Sequence, residues 1–254
     1  ILDKTLIEVP TIYIFDGQTG TFLKKWGEKL FALPHSITID SKDNIWVADV
    51  ALHQVFKFSH DGELLLTLGE AGVSGDDTSH FNRPSDVAIA PDGSFYVSDG
   101  YGNSRVLKFS AEGKYLLEWG KKGKSAAEFD LPHGIALDTL GHVYVVDRQN
   151  ARIQVFDDKG KYITQWKGPF IMPQDIKIGE DGTAYIVDPG NDQLPDRSGL
   201  LIVNKEGSLI ERVGRYGNYD GQFLDPHWVA LGKNGEVYVA DFTGKRVQKF
   251  IRSR

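Results

Sequence analysis

Five prolines along the chain each stand fifteen residues ahead of an aspartate, and this offset does not vary: Pro34 to Asp49, Pro84 to Asp99, Pro132 to Asp147, Pro173 to Asp188 and Pro226 to Asp241. Successive prolines lie 50, 48, 41 and 53 residues apart. A fixed inner length with variable outer spacing describes one supersecondary unit repeated around a common axis and joined by adjustable loops. Within each unit the hydrophobic period is two. Ile37-Thr38-Ile39, the turn Ser41-Lys42-Asp43-Asn44 and Ile45-Trp46-Val47-Ala48 read as a hairpin, echoed by Val87-Ala88-Ile89 with Phe95-Tyr96-Val97 and by Ile135-Ala136-Leu137 with Val143-Tyr144-Val145. Asp92-Gly93, Asp181-Gly182 and Asn234-Gly235 supply turns that need positive φ. Third strands such as Val55-Phe56-Lys57-Phe58 and fourth strands such as Leu117-Glu118-Trp119 complete four antiparallel strands per unit. The pattern predicts an all-β, single-domain propeller over residues 1–254, with six blades. Thr11–Phe15 and Thr21–Trp26 are expected as the third and fourth strands of the N-terminal blade, with only residues 1–10 left for its inner strands.

Composition narrows the function classes. With 35 acidic against 29 basic side chains the net charge is −6, so the electrostatic footprint of a nucleic-acid binder is missing. There are no cysteines, which removes thiolate catalysis and Cys-based zinc sites. No apolar run approaches the roughly 20 residues that cross a bilayer as a helix. Neither a His-Glu-x-x-His helix, a phosphate-cradling glycine loop nor a Gly-x-Ser-x-Gly elbow occurs. Asp76-Asp77 and Asp157-Asp158 sit in turn contexts and read as solvated surface.

The residue after the repeat proline is His35, Ser85, His133, Gln174 and His227 in turn. Histidine thus occupies alternate repeats at one phase, hence one height around one axis. In a six-blade ring alternate blades are about 120° apart, an arrangement in which three imidazoles converge on one ion. In a five-blade ring the first and fifth repeats would be neighbours and the triangle would collapse. Three neutral imidazoles suit Zn²⁺ with a fourth position open to water or substrate. His53, His60, His80 and His142 share no phase and read as surface or packing residues. The loops after the repeat aspartates should rim the same mouth. One of them, Asp99-Gly100-Tyr101-Gly102, sets a phenol between two glycines, and Asp147-Arg148 places a guanidinium in the next repeat. Positive charge beside Tyr101 is expected to lower its pKa and make it a general base. Arg105, Arg152 and Arg246 recur at one phase and read as structural.

Across nearly the whole chain these units resemble NHL repeats. Leu33-Pro34-His35, Asp49-Val50-Ala51-Leu52-His53-Gln54-Val55-Phe56-Lys57, Tyr96-Val97-Ser98-Asp99-Gly100-Tyr101 with Asn103-Ser104-Arg105, Leu131-Pro132-His133 and Asp147-Arg148-Gln149-Asn150 resemble peptidyl-α-hydroxyglycine α-amidating lyases more specifically. The resemblance implies cleavage of a peptidyl-α-hydroxyglycine to a peptide amide and glyoxylate, with His35, His133 and His227 as zinc ligands, Tyr101 as base and Arg148 as its partner. It also implies a structural calcium reached by the backbone carbonyl of Ile37. Trp228 stands where that family has calcium's aspartate, which leaves a hard cation short of oxygens. The family's first-blade substrate arginine and its cysteines have no counterpart here.

The expected partner is a small peptide or N-acyl-α-hydroxyglycine, with no nucleic acid and no membrane, bound by a monomer that is secreted or periplasmic. Two other readings compete: a non-catalytic NHL propeller serving as a binding platform, and a lactonase-like hydrolase, which would want a carboxylate-rich calcium site rather than a histidine-rich mouth.

Overall fold

The computed structural model describes residues 2–191 and 193–251. The chain begins with a two-stranded hairpin, β1 (Ile12–Phe15) and β2 (Phe22–Trp26), and continues into five sheets. The first blade is β3 (Pro34–Ile39), β4 (Ile45–Asp49), β5 (Gln54–Phe58) and β6 (Leu64–Leu68). The second is β7 (Asp86–Ile89), β8 (Phe95–Asp99), β9 (Arg105–Phe109) and β10 (Tyr115–Trp119). The third is β11 (Pro132–Leu137), β12 (Val143–Asp147), β13 (Arg152–Phe156) and β14 (Tyr162–Trp166). The fourth is β15 (Asp175–Ile178), β16 (Ala184–Asp188), β17 (Gly199–Val203) and β18 (Leu209–Val213). The fifth has three strands, β19 (Pro226–Leu231), β20 (Val237–Asp241) and β21 (Arg246–Phe250). Each sheet is antiparallel and keeps sequence order from the axis outward. Among the described residues the helical ones form two 3-10 turns, Arg148–Asn150 and Pro195–Arg197.

The all-β expectation is met, but the expected six blades are corrected to five. No strand forms among residues 2–11, so β1 and β2 have no inner strands beside them and make a hairpin rather than a blade. That hairpin occupies the arc between the fifth blade and the first. On one side Ile12 and Trp26 pack into a cluster with Phe31, Ile45 and Phe58. On the other, the Tyr238 hydroxyl and the Lys249 ammonium both donate to the Gly17 carbonyl, at 3.1 and 2.7 Å. The first and fifth blades are therefore held apart.

The core is cut into slices between neighbouring blades. Trp46 and Val55 meet Phe95, Val97 and Leu107 between the first and second blades, and Ala88, Tyr96 and Val106 meet Ile135 and Val145 between the second and third. Every residue of β4, β8 and β12 is buried because these strands have a sheet on each face. Gly93, Gly182 and Gly235 carry positive φ (88°, 80° and 84°) at the expected hairpin turns.

The fixed Pro-to-Asp offset has a hydrogen-bonding cause. Asp49 accepts the backbone N–H groups of Ala32 and Leu33, which precede Pro34, and those of Ala51 and Leu52 beyond it. Asp147 accepts from Asp130 N–H, Asn150 and Arg152, and Asp188 from Ile171, Met172 and Gly190 N–H. Each carboxylate ties the entry of a first strand to the exit of the second, and so fixes the mouth of the channel.

Candidate active site

His35, His133 and His227 converge at that mouth. Their ring centroids are 4.8, 5.0 and 5.5 Å apart, and one nitrogen from each lies within 4.8 Å of the others. Each ring sits at the start of an innermost strand, which points the three at the axis. The hairpin between the fifth and first blades explains why five blades do not collapse the triangle.

Backbone carbonyls fix two of the rings. His35 Nδ1 lies 2.7 Å from the Ser85 carbonyl, and His133 Nδ1 lies 2.8 Å from that of Gln174. A carbonyl only accepts, so each Nδ1 carries the proton and each Nε2 presents a lone pair inward. Both lone pairs face the Tyr101 hydroxyl, at 3.0 Å from His35 and 2.8 Å from His133. His227 differs. It is buried, its ring lies 4.1 Å from that of Trp228, and neither of its nitrogens has a hydrogen-bond partner. An unsatisfied buried imidazole is costly on its own, and its neighbours offer two more lone pairs at the same point. The donor set of three imidazoles can hold a metal ion.

Electrostatics reinforce the neutrality of His35 and His133. Burial, then the neighbouring His227 and Arg148, bring the pKa of His35 down to about 3. Burial, then the other two histidines, hold His133 well below its ordinary value. Neutral imidazole is the ligand form. For Tyr101 the expected direction is corrected: burial raises its pKa, and the positive charge of Arg148 opposes this without overcoming it. The phenol therefore rests protonated, and a further positive charge must act before it becomes a base.

Arg148 arrives where expected. Its Nη1 donates to the Tyr101 hydroxyl at 3.5 Å, its Nη2 lies 3.6 Å from Met172 Sδ, and its buried Nε has no partner. Tyr101 is placed by its loop: a Cβ on Gly100 would stand 1.7 Å from the Pro132 carbonyl oxygen, so only glycine permits the third blade to come this close. Arg105 and Arg152 are structural, as expected; each spans its repeat aspartate and several loop carbonyls. His53 accepts the Arg83 N–H, His80 pairs with Asp77, and His142 with Asp138, and none of the three belongs to the histidine cluster.

Ile37 lies lower, lining the channel together with Lys177. The calcium expected at its carbonyl does not fit this chain, because the channel's two buried carboxylates, Asp86 and Asp175, already face the Lys177 ammonium. Sequence reading missed the carbonyls of Ser85 and Gln174, the ring of Trp228 and the free Gln174 amide, whose buried nitrogen and oxygen both lack partners. The signal was available: Ser85 and Gln174 share the phase of the histidines.

Comparison with known proteins bears on these features. A family described as "NHL repeat" matches residues 31–58, 81–109, 129–156 and 223–250, the first, second, third and fifth blades. Peptidyl-glycine alpha-amidating monooxygenase B of Xenopus laevis is 36% identical over 98% of this chain, which spans only 29% of that protein's length. Peptidyl-alpha-hydroxyglycine alpha-amidating lyase 2 of Drosophila melanogaster is 33% identical over 96% of the chain and 62% of its own length. Human NHL repeat-containing protein 3 is 33% identical over 96% of the chain and 73% of its own length. Among solved structures, a streptogramin B lyase superposes with TM-score 0.63 at 17% identity, covering 95% of this chain and 76% of that one. A gluconolactonase from Xanthomonas campestris gives 0.64 at 12% identity, covering 87% and 73%. These two likenesses concern the fold.

Proposed function

We propose, from the premise that the chain belongs to the NHL-repeat family and resembles the peptidyl-α-hydroxyglycine α-amidating lyases over nearly its whole length, that it is a metal-dependent lyase splitting a peptidyl-α-hydroxyglycine into a peptide amide and glyoxylate. The observation that carries this reading is the Tyr101 hydroxyl, within 3.0 Å of two imidazole nitrogens of a three-histidine cluster and backed by Arg148.

His35, His133 and His227 would hold the ion. Bound there, zinc supplies Lewis-acid charge that polarises a hydroxyl and favours the tyrosinate form of Tyr101. Tyr101 as phenolate takes the proton of the substrate's carbinol hydroxyl. The oxygen's electron pair becomes the carbonyl of glyoxylate as the C–N bond breaks, and the departing amide nitrogen receives a proton, so the net transfer is from oxygen to nitrogen. Arg148, whose Nε is unpaired, steadies the phenolate or takes the substrate carboxylate. His35 and His133 stay neutral, each keeping its Nδ1 proton and donating it to the carbonyl of Ser85 or Gln174.

The test is glyoxylate release from an α-hydroxyhippurate-type substrate by protein of measured metal content. One transition-metal ion per chain with glyoxylate formation is expected. His133→Ala should lose both while keeping the β-sheet circular dichroism of the wild type. Stoichiometric metal without glyoxylate sinks the lyase reading and leaves the binding platform.

A further inference from the structure

Below the histidines the channel opens into a cavity of about 440 Å³ with largely apolar walls, among them Ile37, Ile39, Ile89, Leu137 and Leu231. Lys177 is the one charged residue in that lining, and two buried carboxylates lie against it. Asp86 and Asp175 stand two residues after their repeat prolines, on the second and fourth blades, and are almost fully buried. Lys177 stands four residues after Pro173 on the same strand as Asp175. Its ammonium is 3.0 and 3.2 Å from the two oxygens of Asp175 and 3.8 Å from Asp86 Oδ2.

Each carboxylate also has a backbone task. Asp86 Oδ2 accepts the Ile135 N–H of the third blade at 3.1 Å, and Asp175 Oδ2 accepts the Val229 N–H of the fifth at 3.0 Å. Four innermost strands are thus joined at one height by two acids, with Lys177 reaching past the third blade to connect them. Gly134 makes room for this: a Cβ there would stand 2.9 Å from Asp175 Oδ1 and 2.7 Å from Asp175 Cα.

Two carboxylates buried together in an apolar channel need a cation between them, since neither can be left ionised and unpaired. A free divalent ion is one solution, and it requires six to eight oxygens. Here each acid gives one oxygen to a backbone amide, and the Lys177 ammonium stands between the two acids, so that a free divalent ion is shut out for as long as the ammonium is in place. We propose that Lys177 is a tethered counter-cation, its ammonium taking at the waist of the channel the place a free divalent cation would otherwise hold, so that this chain's inner ring is calcium-independent. The lyase reading is not needed for this, and the readouts below do not involve turnover.

The test compares the full chain with Lys177→Met, which keeps an unbranched side chain one atom shorter and removes its charge. Both are stripped over a chelating resin, then titrated with calcium chloride by calorimetry and followed by thermal unfolding. The wild type should bind no calcium in the channel and keep its Tm. Lys177→Met should lose roughly 10 °C and recover several degrees in millimolar calcium, with one ion bound per chain. Should it fold only when calcium is present during refolding, that too supports the tether. The neutral triple variant Asp86→Asn, Lys177→Met, Asp175→Asn should fold without calcium and ignore it. A wild type that binds one calcium with a rise in Tm overturns the proposal. So does a Lys177→Met protein, folded or not, that gains nothing from calcium.

Discussion

Tyr101 has one proton and two imidazole nitrogens within hydrogen-bond reach, so it can satisfy only one of them. The other nitrogen, together with the ring of His227, whose nitrogens make no hydrogen bond and whose Nδ1 lies 3.6 Å from Asp225 Oδ1, is what an ion would complete. Replacing the phenol therefore separates binding from chemistry. Tyr101→Phe is expected to retain one metal ion per chain while glyoxylate release falls about 10²–10⁴-fold, the usual worth of a positioned acid–base group; metal content and turnover measured on the same sample check this. The identities of these residues were legible from the repeat, because phase alone gathers His35, His133 and His227 at one height. The direction of the Tyr101 shift was not. Positive charge nearby can be guessed from Arg148, whereas burial of the phenol depends on how closely the third blade approaches Gly100, and no spacing in the sequence encodes that distance.

At the level of elements, the hairpin β1–β2 is the least supported part of the ring. Its grip on the first blade runs through Trp26, whose ring lies 5.1 Å from that of Phe58 and is almost fully buried. Its hold on the fifth blade is the pair of hydrogen bonds to Gly17. Trp26→Ala is expected to cost about 3–5 kcal/mol, read from denaturant midpoints at unchanged slope, and to speed proteolysis within Gly17–Gly20. The strands themselves were readable where Thr11–Phe15 and Thr21–Trp26 alternate. The blade count was not, because a count by repeats assumes that every outer pair has an inner pair, and residues 2–11 supply none. The Pro-to-Asp offset was legible as a regularity before its cause was. A side-chain carboxylate accepting the N–H groups ahead of the proline, as Asp49 does for Ala32 and Leu33, is a long-range bond that only the closed hairpin reveals.

For the molecule as a whole, the charge balance of the channel sets a pH dependence. Burial brings the pKa of Asp86 up to about 6; Lys177 opposes this and Asp175 adds to it. An unfolded aspartate ionises near 4, so between about pH 4 and 6 the folded state holds the proton more tightly. Stability contributed at this site is accordingly full below that window and falls as pH rises through it. Asp86→Asn should track the wild type at pH 4 and become the more stable protein by pH 7, by at most about 3 kcal/mol; Tm differences across that range decide. A wild type that gains on the variant as pH rises would refute the assignment. The slicing of the core between blades has a last consequence for the histidines. His35 and His133 sit on the first and third blades, but the carbonyls that set their tautomers belong to the second and fourth. Each ring is aimed by the blade that follows it, so a nascent chain that has laid down only one of the two swings an uncommitted imidazole. An ion held by these rings would accordingly be taken up only after the second and fourth blades are in place, as a seal on a finished ring rather than a seed for it.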